Sequence, residues 1–90
     1  MALQLGEVFC SMEVLYAFAQ NLVEEPDTFL ARHANGDWGE LSESDCRANE
    51  YALRHGLRVL SSYTLTSGER ILVVTEGDRS KTTIMLSEEY

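Results

Sequence analysis

What this chain lacks narrows the reading first. Its ninety residues include one proline, Pro26, and two cysteines, and the first forty-five residues carry a single basic side chain, Arg32. Cys10 and Cys46 form no C-x-x-C pair and have no metal-type spacing, so a zinc ribbon or a redox dithiol is not expected. Both are expected to be reduced and at least half-buried. No apolar window is long enough to span a bilayer. The N-terminus has no basic stretch, and Glu7 and Glu13 break its apolar run, so no signal peptide is expected and a cytoplasmic location follows by default. G-x-S-x-G, phosphate-loop, H-E-x-x-H and EF-hand spacings are all missing, as is a Cys/His pair with a third orienting group. The sequence therefore assigns no catalytic residue, no metal ligand and no cofactor, and does not suggest an enzyme.

What is present is negative charge, placed unevenly. The net charge is −8, and residues 1–45 hold nine acids against Arg32 while the second half holds six of each sign. Such a surface repels nucleic acid and anionic membrane and attracts basic protein surfaces. Direct nucleic-acid binding is not expected. Either the charge keeps a small protein soluble, or it forms a contact face; Glu24, Glu25, Asp27, Asp37, Glu40 and Glu43 are the candidate partner-binding acids. Composition is otherwise globular, with 44% hydrophobic and 24% charged residues, enough for one modest core in a single domain over residues 1–90.

Along the chain, Leu3, Leu5 and Val8 to Cys10 give a weak strand signal with Gly6 as a bend. Ser11 suits an N-cap, and Met12, Leu15, Phe18, Ala19, Leu22 and Val23 predict a wide apolar helix face. Pro26 starts a second helix, to His33 or Ala34, with Phe29 and Leu30 facing inward and acids at its positive end. Ser42-x-x-Asp45 predicts a third helix from about Glu43 to His55, stopped by Gly56. Glu43, Arg47, Glu50 and Arg54 form its solvent stripe; Asp45 and Asn49 on the other side require hydrogen-bond partners. The period then changes, and Arg58–Leu65, Arg70–Glu76 and Thr82–Leu86 read as an antiparallel meander. The fold class expected is α+β: two to three N-terminal helices packed on a three-stranded antiparallel meander, with a short extra N-terminal strand as an optional member. In the central strand Ile71-Leu72-Val73-Val74 is apolar on both faces. One face needs a cover beyond the helices, whether the first helix, the N-terminal segment or a second copy, and this raises a homodimer.

Between the halves lies His33-Ala34-Asn35-Gly36-Asp37-Trp38-Gly39-Glu40. Glycines flanking Asp37-Trp38 mark a shaped loop. Trp38 is read as the loop anchor, a plug closing the core, with an exposed partner contact as its alternative. His33, Asp37, Glu40 and Asp45 are close enough in sequence to raise a hard-cation site, yet match no known ligand spacing. The turn Glu76 to Ser80 could bind an anion through its amides and Arg79, or Arg79 could bridge to Asp37 or Glu40. His33, Asn49, Asp78 and Arg79 are thus a candidate polar cluster, and the His33–Glu40 loop with Asp78 and Arg79 would form the site of a small ligand-binding or catalytic domain, a further alternative.

Phe29-Leu30-Ala31-Arg32-His33, Gly36 to Leu41, Leu60-Ser61-Ser62-Tyr63, Thr75 to Ser80, Thr82-Thr83 and Glu89-Tyr90 together resemble a group of small bacterial proteins carried on plasmids, integrative elements and phages, the "plasmid-related" type. Gly77 stands where that group's Thr-Glu-x-Asp-Arg-Ser segment has alanine, and the first 25 residues match less well. The resemblance brings no activity, catalytic residue or cofactor to transfer. It implies a mobile-element setting, in which small acidic proteins occupy the nucleic-acid-binding surfaces of host proteins. The sharpest expectation is a protein-interaction module that inhibits a restriction or CRISPR-type defence complex through its acidic first half. A homodimeric accessory protein without inhibitory action is the alternative.

Overall fold

The computed structural model describes residues 2–90. The order is β1 (Glu7–Cys10), α1 (Met12–Asn21), α2 (Pro26–Ala34), α3 (Glu43–His55), β2 (Val59–Thr64), β3 (Arg70–Thr75) and β4 (Lys81–Leu86), closed by a 3-10 turn at Ser87–Glu89. The class is α+β. The strand order β1-β4-β3-β2 extends the antiparallel meander by one strand, and β1 lies parallel to β4. Only Glu7–Cys10 of the N-terminal segment is extended in the sheet; Leu3 and Leu5 instead pack against the cluster around Trp38.

The helix ends follow local chemistry. Ser11 Oγ accepts from the Val14 amide, and Ser42 Oγ accepts from the Asp45 amide, so both serines cap as expected. Pro26 opens α2, and Gly56 ends α3 in a left-handed conformation. The buried face of α1 differs from the expected one. Val14, Ala17, Phe18 and Asn21 face the sheet, whereas Met12, Leu15, Leu22 and Val23 are exposed. α1 is apolar almost all round, so hydrophobicity alone does not choose its inner side. The choice follows the polar contacts of Asn21: its Oδ1 accepts from the Ser67 amide and its Nδ2 donates to Glu24 Oε1, tying the helix end to the β2–β3 turn. Leu22 then turns left-handed at φ 63°, which ends the helix before Val23.

The helical face of the sheet carries two apolar clusters. Val14, Ala17, Phe18, Phe29, Tyr63, Leu65, Ile71, Val73 and Ile84 form the larger; Leu3, Trp38, Ala52 and Val59 form the smaller. On the opposite face Leu72 and Val74 are also buried, and the 3-10 turn contacts β3.

Candidate interaction surface

The loop selected by its glycines is held at every residue from Asp37 to Glu40. Arg32 Nε donates to Asp37 Oδ2 at 2.7 Å, and the Arg32 guanidinium lies 4.6 Å from the centre of the Tyr63 ring. This pair holds the Asp37 carboxyl below its ordinary range, helped by the Gly39 amide donating to its other oxygen. Tyr63 Oη donates to the Asp37 carbonyl at 2.7 Å; burial pushes the phenol up to about 12. Trp38 is 6% exposed and meets His33 edge-on at 5.7 Å, the plug of its two readings. Its carbonyl accepts from the Ser62 amide while the Glu40 amide donates to the Ser62 carbonyl, so Trp38–Glu40 lies along β2 as a strand substitute.

His33 is fully buried between the two apolar clusters. Its Nδ1 is 2.6 Å from Ser61 Oγ and its Nε2 is 2.9 Å from Thr75 Oγ1, which is 2.7 Å from Thr82 Oγ1. Thr82 Oγ1 donates to the Leu5 carbonyl. A carbonyl only accepts, so the direction of each proton follows along the row. Thr75 donates to Thr82, Nε2–H donates to Thr75, and Nδ1 accepts from Ser61. The ring is neutral in this arrangement. Burial, then the positive charge of Arg79, lowers its pKa to about 4.

The other members of the candidate polar cluster are satisfied separately. Asn49 Nδ2 donates to the Leu60 carbonyl and its Oδ1 accepts from the Leu60 amide, covering the edge of β2. Asp78 accepts from the Ser80 amide, and the Ser80 hydroxyl, then this amide, lowers its pKa. Arg79 donates to the Ala52, Leu57 and Glu76 carbonyls and so caps the C-terminal end of α3. The expected bridge from Arg79 to Asp37 or Glu40 is absent, because Arg32 and Arg70 hold those carboxylates. Asn49 lines a surface recess with Asp45, Arg58 and Tyr90, and neither this nor two further recesses are lined by Trp38, His33, Asp78 or Arg79. Among the described residues no group of three His, Cys, Asp or Glu is placed to hold a metal ion, and no helix is long and apolar enough to cross a membrane.

The six acids selected from the sequence divide in the same way. Asp37, Glu40 and Glu43 are paired with Arg32, Arg70 and Arg47. Glu24 accepts from the Thr66 amide and from Asn21, and these contacts lower its pKa. Glu25 and Asp27 have no ion-pair partner among the described residues and sit at the start of α2.

A second acidic region was missed. Met12, Tyr16, Ala17 and Leu86 floor an open groove of about 390 Å³ between α1 and the end of β4, with Glu13, Gln20 and Glu69 on its walls. Met12 is 78% and Tyr16 69% exposed. Glu89 lies beside Glu13; the Leu86 amide, then the Ser11 hydroxyl, lowers its pKa. Among the described residues no lysine or arginine pairs with Glu13, Glu69 or Glu89. The sequence signal was the all-round apolar surface of residues 12–23, but Glu69 and Glu89 come from distant segments. No family model matches the chain, and no curated protein or solved structure shows significant similarity to it.

Proposed function

We propose that the protein is a small acidic interaction module that binds a basic surface on another protein. The observation carrying this reading is the groove along α1, an exposed apolar floor with carboxylates on its walls that the chain does not neutralise itself. Lysine and arginine suit such a place: the aliphatic stem lies on Met12 and Tyr16 while the charged head reaches Glu13, Glu69 or Glu89. Glu25 and Asp27 extend the negative surface and accelerate encounter at low salt. In the mobile-element setting that the resemblance implies, the partner is a nucleic-acid-handling defence complex of restriction or CRISPR type, inhibited by occupation of its basic surface.

The test is affinity capture from a host bacterium, followed by identification of the bound proteins and a DNA-binding assay on the purified partner. Capture is expected to weaken with salt and to fall in the double variant Glu13→Lys, Glu69→Lys. The partner's DNA binding is expected to fall when the wild-type chain is added. Capture that ignores both salt and charge reversal overturns the reading; capture without loss of DNA binding overturns inhibition alone.

A further inference from the structure

We infer that β1 is a self-pairing edge, through which two copies of the chain join antiparallel at Val8–Cys10 into one continuous sheet of eight strands. This surface is separate from the α1 groove, and the inference stands whether or not that groove binds a partner.

The two edges of the sheet are treated differently. On β2, Asn49 occupies the amide and carbonyl of Leu60, and the Trp38–Glu40 segment occupies those of Ser62. That edge is closed to strand addition. On β1, the Glu7 amide donates to the Ser80 carbonyl and the Ser11 amide donates to the Ile84 carbonyl. In a parallel ladder alternate residues point to the same side, so Glu7, Phe9 and Ser11 face β4 while Val8 and Cys10 direct their amides and carbonyls outward. No proline or lysine blunts this strand, and Val8 and Phe9 are 42% and 46% exposed.

A second copy fits this edge better than an unrelated strand does because the edge is self-complementary. Val8 set opposite Cys10 of the copy, and Cys10 opposite its Val8, uses all four outward groups in two hydrogen-bonded pairs about a two-fold axis at Phe9. A register shifted by one residue toward the N-terminus requires Gly6 to pair as well. Gly6 has φ +65°, outside the extended region, so that register breaks. In the fitting register Phe9 faces itself as a close non-hydrogen-bonded pair, and Val8 meets the half-buried Cys10. Glu7 falls opposite Ser11, whose hydroxyl donates to Glu89, so pairing brings Glu7 of each copy toward the Glu89 carboxylate of the other, and association is expected to strengthen with salt. The contact is short, so the dimer forms in a concentration-dependent manner.

Sedimentation of the full chain from micromolar to millimolar concentration reads the equilibrium. Val8→Pro removes one outward amide per copy, two of the four hydrogen bonds, and leaves the amides that pair with β4 in place. It is expected to weaken association by at least about tenfold with the unfolding midpoint retained. A second variant does not depend on proline being tolerated. Phe9→Cys in a Cys10→Ala, Cys46→Ala background is expected to form a disulfide dimer under mild oxidation, much faster than Tyr51→Cys in the same background. A wild-type chain that stays monomeric throughout overturns the inference, as does a Phe9→Cys chain that cross-links no faster than the Tyr51→Cys control. Association that Val8→Pro leaves unchanged in a folded chain overturns it too.

Discussion

His33 Nδ1 lies 2.6 Å from Ser61 Oγ, at the open end of a row of hydroxyls that runs through Thr75 and Thr82 to the Leu5 carbonyl. The row joins α2, three strands and the N-terminal segment where the two apolar clusters meet. Each donor in it has one acceptor, so a second proton on the imidazole reverses the contact with Ser61 and leaves that hydroxyl without its acceptor.

A pH dependence follows. The folded-state pKa of His33 is about 4, below the ordinary value of 6.5. The unfolded chain takes up the proton near pH 6.5 and the folded chain only near 4, so the stabilisation is complete above pH 6.5 and is lost as pH falls toward 4. The loss is on the order of 3 kcal/mol across that window. Urea unfolding at several pH values is expected to show this slope, and His33→Gln is expected to lower stability at pH 7 while flattening it.

Asn49 performs the work of a neighbouring strand with one side chain. Asn49→Ala leaves the amide and the carbonyl of Leu60 without partners under α3, and is expected to lower stability by about 2–3 kcal/mol. Asn49→Asp keeps an acceptor for the Leu60 amide but sets a carboxylate against the Leu60 carbonyl. Its loss is therefore expected to shrink as pH falls and the acid is protonated. Denaturant unfolding of both variants at pH 4.5 and 7, each referred to wild type at the same pH, checks this.

How far the sequence revealed these contacts depends on their range. The caps Ser11 and Ser42, the third helix from Glu43 to His55 and the meander were legible because each rests on spacing within a few residues. Asn49 was legible as a polar group in need of a partner, but Leu60 lies eleven residues away. His33 was legible as a helix-end residue and as a polar-cluster candidate, but its partners Ser61, Thr75 and Thr82 were not, since they meet it through strand pairing. Hydroxyls at alternating positions among the apolar residues of three strands were the available signal. The face of α1 was not legible, because its register is set by Asn21 and Glu24 at the distant β2–β3 turn.

Gly39 is where the loop presses hardest on the sheet. Its φ is +71°, and an added Cβ would stand 2.0 Å from the Ser62 carbonyl oxygen and 2.6 Å from the Tyr63 ring. Gly39→Ala therefore combines left-handed strain of about 1 kcal/mol with a clash that only moving the loop relieves. The expected outcome is a loss of several kcal/mol, with Trp38 fluorescence shifted toward that of a solvated indole.

Glu24 and Glu13 separate structural acids from free ones. Glu24 joins the end of α1 to the Thr66 amide, so Glu24→Gln, which weakens a charge-assisted contact, is expected to lower stability by about 1 kcal/mol. Glu13 has no cation partner among the described residues, so Glu13→Gln breaks no ion pair and is expected to leave stability unchanged. Partner capture is expected to move the opposite way, falling for Glu13→Gln and holding for Glu24→Gln in the folded state. Thermal unfolding and capture measured on the same two variants distinguish the roles. Equal losses of capture would place the contact on the broad acidic half of the chain and not in the α1 groove.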